Sequence, residues 1–178
     1  MIYRDMKNGL NRDNRRQVLV INGKDSFDPL YNRPAIDCGI LTSKLNGRDD
    51  VEMISVGNGS IDITIGDIEC ALAKLDANEK ITIIIQCHGV IKNGKFHFIL
   101  GEDAKISSSE LFEVISDKLG CPVDIFTPAC YGGGMMRDRG KLPAGSVLVS
   151  LTSDKEINNG GDYRDMVKQL DKFSDDFS

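Results

Sequence analysis

A chain of 178 residues with 40% apolar and 28% charged side chains has the composition of a globular protein that can bury one core without help from metal or disulfides. A net charge of -5 at pH 7 and an aromatic content of 6% argue against nucleic acid as a partner, because phosphate binding needs a basic face. No run approaches the roughly 18 consecutive apolar residues of a membrane span, and five cysteines at irregular positions (38, 70, 87, 121 and 130) argue against a disulfide framework or a zinc finger and suit a reducing compartment.

Residues 1–16 form a polar, basic N-terminal arm without the apolar centre of a secretory signal, so the expected site of synthesis is cytoplasmic, with secretion as an effector left open. Gln17-Val18-Leu19-Val20-Ile21-Asn22, closed by Gly23, predicts a first buried strand. Residues 35–45 have helical apolar spacing, and Val51-Glu52-Met53-Ile54-Ser55-Val56 predicts a second strand. Residues 67–75 follow as a helix with Ile68, Ala71, Leu72 and Leu75 on one face. The next strand is the apolar run ending at His88. After it, Val90-Ile91 and Phe96-His97-Phe98-Ile99-Leu100 flank Lys92-Asn93-Gly94-Lys95, where Asn-Gly signals a tight hairpin turn. One of Ser107, Ser108 and Ser109 caps a helix running to about Leu119 and stopped by Gly120, and Pro122 leads into a strand ending at Cys130. Residues 131–145 read as a long loop made mobile by Gly132-Gly133-Gly134. A last core strand over 145–151, a helix over 162–173 and a frayed acidic tail over 174–178 complete the chain.

Continuous apolar strands alternating with amphipathic helices imply an α/β fold. A single domain over residues 17–173 is expected, a three-layer sandwich with a mainly parallel central sheet and a small β-hairpin after the His-Gly strand. Ligands of such sheets sit beyond the carboxyl ends of the strands. Two motifs fall there: Ile83-Ile84-Ile85-Gln86-Cys87-His88-Gly89 and Val123-Asp124-Ile125-Phe126-Thr127-Pro128-Ala129-Cys130.

An imidazole and a thiol at one sheet edge are what thiol catalysis requires, together with donors aimed at the developing oxyanion. Cys130 is the candidate nucleophile and His88 the group that protonates the leaving amine. The backbone N–H groups of Gly89 and Cys130 are the candidate oxyanion hole, and the missing side chain of Gly89 is expected to let a substrate backbone approach closely. A single buried cysteine or strand-end histidine is more often a space filler or polar cap, so the weight rests on the constellation. Strand alternation turns Cys87 away from His88, as core filler. Cys38, Cys70, Cys121 and His97 receive no chemical role.

With these blocks in view, the chain resembles the caspase-like cysteine peptidases, which include caspases, metacaspases, legumain, clostripain and gingipains. Their shared pattern is an apolar block ending in His-Gly and a second ending in Ala-Cys or Asp-Cys, with a hairpin and a helix between. The resemblance covers about residues 17–152 and implies a caspase-like fold, a His88/Cys130 catalytic dyad and a protein or peptide substrate. It also implies two opposed specificity residues. Arg33 stands where caspases carry an Arg that binds an acidic side chain before the cut, although Pro34 and Ala35 replace part of that pattern; a guanidinium there would bind a carboxylate bidentately. Asp154, preceded by Ser153, stands near the place where relatives that cut after Arg or Lys keep an acidic pocket residue. Basic specificity through Ser153 and Asp154 is the expectation. Arg137, Arg139 and Lys141 beside glycines make the segment after Cys130 basic, which suits a self-cleaving or autoinhibitory strand and equally a plain solvated loop.

No cofactor and no metal are expected: some relatives use calcium, but no loop has an EF-hand pattern. No nucleic acid or membrane partner is expected, and monomer and dimer stay equally open. Two other readings compete, a catalytically silent caspase-like module that binds a protein partner and a flavodoxin-like small-molecule domain. The second lacks a phosphate-cradling loop.

Overall fold

The β-branched runs expected to be buried strands lie side by side and all in parallel. In the computed structural model, which describes residues 16–24, 43, 48, 50–59 and 61–155, β1 (Arg16–Asn22) is flanked by β2 (Val51–Val56) and β3 (Lys80–Gln86). Beyond β3 come β7 (Val123–Thr127) and β8 (Val147–Ser150), giving the order β2-β1-β3-β7-β8. The order reverses between β1 and β3, the place where sheets of this kind open a crevice beyond their carboxyl ends. β-branched side chains suit these strands because their stiff χ1 angles pack well on a pleated surface.

Helices α1 (Ile65–Leu72) and α2 (Ser108–Leu119) pack together against one face of this sheet, burying Ile68, Leu72, Leu111, Phe112 and Ile115 with Leu19, Ile83 and Ile125 in the main core. Both helices begin in reciprocal capping boxes. Thr64 and Asp67 exchange bonds at the start of α1, and Ser107 and Glu110 do so at α2, where the Glu110 backbone N–H donates to Ser107 Oγ (3.2 Å) and the Ser107 N–H to the Glu110 carboxylate (3.0 Å). The Thr64 cap starts α1 before the expected Asp67, leaving Leu75 in the following turn, still packed on the core. Gly120 stops α2 in the left-handed conformation (φ 62°), as the sequence predicts.

The opposite sheet face buries Val18, Val20, Ile84 and Phe126. The helices expected over 35–45 and 162–173, most of the N-terminal arm, the acidic tail, Arg33 and Cys38 lie outside the described residues. Among the described residues no helix is long and apolar enough to cross a membrane.

A second sheet is antiparallel, in the order β4 (His88–Lys92), β5 (Lys95–Ile99), β6 (Lys105–Ser107). Asn93 (φ 52°) and Gly94 (φ 74°) are both left-handed, the conformation that a two-residue Asn-Gly hairpin loop needs. Two expectations need correction. His88 does not end the parallel strand: β3 stops at Gln86, the chain breaks at Cys87, and His88 begins the hairpin. Residues 131–145 are not a mobile loop, because Gly132–Lys141 winds into a 3-10 helix with Gly132, Gly134 and Met135 buried.

Candidate active site

The break between β3 and β4 is set by packing. The Gln86 carbonyl accepts a hydrogen bond from the Gly23 N–H (2.8 Å), and the next residue, Cys87, turns into the core at 5% exposure. A Cβ on Gly23 would lie 2.7 Å from the Cys87 Cβ and 2.6 Å from the Ile99 carbonyl, so the end of β1 seals this thiol in. Burial pushes the Cys87 thiol up to about 12, outweighing a backbone hydrogen bond at Ile99, and nearby Cys130 raises it a little more. Cys87 is therefore the core filler that the sequence predicts, and the chain re-emerges at half-buried His88, opposite Ile99.

The approach to Cys130 is laced by hydroxyls. Thr127 Oγ1 donates to the Ile85 carbonyl (2.8 Å) and accepts from the Ala129 N–H (3.2 Å), tying the end of β7 to β3. From the other side, Thr152 Oγ1 donates to the Ala129 carbonyl (2.7 Å) and accepts from the Gly132 N–H (2.9 Å), while Ser150 Oγ donates to the Thr152 carbonyl (2.8 Å). Cys130 is half-buried between these clamps, and Tyr131 directly after it has φ 58°. A left-handed tyrosine is strained, costing on the order of 1–3 kcal/mol, and such strain concentrates at functional sites.

The two motifs meet at Gly89. A Cβ there would collide with the Cys130 carbonyl oxygen and lie 2.7 Å from the Phe96 ring, so the hairpin strand that starts at His88 runs against the Cys130 backbone. The reason for this glycine differs from the expected one, since it is the protein's own chain that needs the space. Gln86 and Asn22, register partners at the carboxyl ends of β3 and β1, are buried at 1% and 2% exposure. Among the described residues, the Asn22 Oδ1 and both Gln86 amide atoms have no hydrogen-bond partner.

Asp154 and Ser153 follow β8 and press on the segment after Cys130: a Cβ on Gly133 would lie 2.7 Å from the Asp154 nitrogen and 2.9 Å from the Ser153 Cα. The Asp154 carboxylate accepts a hydrogen bond from Arg137 Nη2 at 2.8 Å. Lys141 pairs instead with Glu113 on α2 (2.5 Å), which raises its ammonium pKa through that hydrogen bond. Sequence reading missed Thr127, Ser150, Thr152 and Tyr131, whose residue types are ordinary at strand ends and carry no signal of this kind. Among the described residues no three His, Cys, Asp or Glu side chains group as a metal site.

No protein-family model matches the chain, and no curated protein matches it. Solved structures similar to it include the following two. One is the Drosophila initiator caspase Dronc, 15% identical, with a TM-score of 0.48 over 66% of this chain and 50% of that one. The other is a Geobacter sulfurreducens protein, 14% identical, with a TM-score of 0.46 over 65% of this chain and 50% of that one. The chain thus matches half the length of each.

Proposed function

We propose that this chain is a cysteine endopeptidase with Cys130 as nucleophile and His88 as acid–base. The observation that carries the reading is the contact of Gly89 with the Cys130 carbonyl, which joins the two motifs at one sheet edge; the left-handed Tyr131 supports it. In the reaction, the Cys130 sulfur, as thiolate, adds to the scissile carbonyl carbon. The oxyanion that forms is held by the backbone N–H groups of Gly89 and Cys130. The C–N bond then breaks, the leaving amine takes its proton from the His88 imidazolium, and a thioester remains. Water, giving a proton to His88, attacks the thioester carbon and releases a carboxylic acid and the thiolate.

Asp154, with Ser153 beside it, is the proposed contact for a basic side chain before the cut. The guanidinium it receives from Arg137 supports that reading, since a carboxylate in this place pairs with a basic group. Arg33, the candidate contact for an acidic side chain, lies outside the described residues.

The test is cleavage of fluorogenic peptides carrying Arg, Lys, Asp or Asn before the scissile bond, with and without calcium, beside the Cys130→Ala variant. The expected result is hydrolysis after Arg and Lys that falls by at least about 10⁴-fold in the variant, the scale of losing a nucleophile that works as part of a unit. Equal hydrolysis by both proteins refutes the reading. Silence on every peptide, with slow alkylation of Cys130 by iodoacetamide, favours the silent binding module.

A further inference from the structure

Arg137 and Asp154 form an ion pair that links the pieces of chain carrying the candidate groups. Arg137 belongs to the 3-10 segment that leaves Cys130, and Asp154 belongs to the exit from β8. The same guanidinium also reaches the Gly94 carbonyl at the tip of the hairpin that begins at His88 (3.5 Å). The segment cannot easily shift: Gly132, Gly133 and Gly134 pack against Ser150, the 153–154 backbone, and Ile91 and Phe96, respectively, with no room for side chains. Its third buried residue, Met135, is 0% exposed, two positions before Arg137. Arg137 itself is largely exposed, and Asp154 about one third exposed.

A carboxylate that would bind the basic side chain of a substrate is therefore occupied by a basic side chain of the same molecule. We propose that Arg137 is an internal competitor at Asp154, a cis latch that an incoming Arg or Lys side chain must displace; this rests on Asp154 being the specificity contact. The latch is weak. Exposed ion pairs of this kind are worth little in water, so Arg137 lowers affinity for basic ligands by about 2–5-fold and does not block the site outright. Its effect is selective, because it competes through charge: a neutral isostere of arginine gains nothing when the latch is removed.

The decisive experiment uses the Cys130→Ala chain, so that binding is read without turnover. Fluorescence anisotropy compares a labelled peptide with arginine before the scissile position with the same peptide carrying citrulline, for the parent and with Arg137→Ala, Asp154→Asn or both added. The expected result is tighter binding of the arginine peptide by about 2–5-fold in Arg137→Ala, unchanged citrulline binding, and no effect of Arg137→Ala once Asp154 is Asn. Equal arginine binding with and without Arg137 overturns the latch, as does an equal gain for citrulline. If no variant prefers arginine to citrulline, Asp154 is not a basic pocket and the latch falls with it. Cys130-dependent cleavage after some other residue would in that case leave the peptidase reading standing.

Discussion

In the parallel sheet the central strands are closed on both faces, with Leu19, Val20, Ile83, Ile84 and Ile125 at 0–1% exposure. The antiparallel sheet is closed on one face only: β5 buries Phe96 and Phe98, stacked edge to face at 4.7 Å, and leaves Lys95, His97 and Ile99 at least partly open, while β4 runs from half-buried His88 to exposed Lys92. Two-sided closure makes the first sheet the store of stability. One-sided closure makes the second a wall, anchored by its phenylalanines, against which the Cys130 backbone packs at Gly89. Damage to the two sheets should therefore be read by different instruments, stability for one and site geometry for the other.

The largest stability effect is expected within the parallel sheet. Ile83→Ala removes a fully buried side chain from the central strand and should cost about 2–5 kcal/mol in urea unfolding. A loss below about 1 kcal/mol would mean that this sheet is not the main stabilising unit.

Gly89→Ala sharpens the contrast. The new methyl must push against the Cys130 carbonyl and the Phe96 ring, so about 1–3 kcal/mol of stability should be lost, as is usual for overpacking. Peptide hydrolysis should fall by about 100-fold, the scale of a 1 Å misplacement of reacting groups. Gly94→Ala, at the hairpin tip, has open space around it and only a left-handed φ to strain, so it should cost about 1–2 kcal/mol. Activity should stay near the parent's, and an equal loss of activity in both variants would show that the hairpin acts as a whole and not through its contact with Cys130.

The smallest expected effect lies at the start of α2, where Ser107 ends β6 and caps the helix. Ser107→Ala breaks the capping box and should cost about 1 kcal/mol at neutral pH. Hydrogen bonds from Ser107 hold the Glu110 carboxyl below its ordinary value, so the stabilisation they give is present above that value and disappears as pH falls through the lower, folded one. Urea titrations at neutral and acid pH should show the Ser107→Ala penalty shrinking on the acid side; a penalty that grows there would reverse the assignment.

Much of this architecture was legible residue by residue. Asn93-Gly94 signalled a hairpin turn because few other residues accept two left-handed conformations in succession, and Gly120 stopped α2 for the same reason. His88-Gly89 and Ala129-Cys130 stood out as the polar ends of apolar runs. The break at Cys87 was not legible, because no glycine, proline or other turn residue interrupts Ile85-Gln86-Cys87-His88; it arises where Gly23 and Ile99, distant in sequence, close over the thiol. The glycines after Cys130 were misread as a source of motion. Glycine also permits close approach, and only the neighbouring Ser150, Ile91 and Phe96 reveal which use applies.

The sequence by itself determined most of the described elements and their order, β6 and the 3-10 segment excepted, because periodicity, caps and turn residues act within a few positions of one another. It also marked His88 and Cys130 as candidates for chemistry. Tertiary structure alone decided that Gly89 meets the Cys130 backbone, that Thr127 and Thr152 clamp that segment, and that Asp154 is held by Arg137. Those contacts join residues 17 to more than 40 positions apart, and their distances depend on how strands and helices pack, which no local pattern encodes.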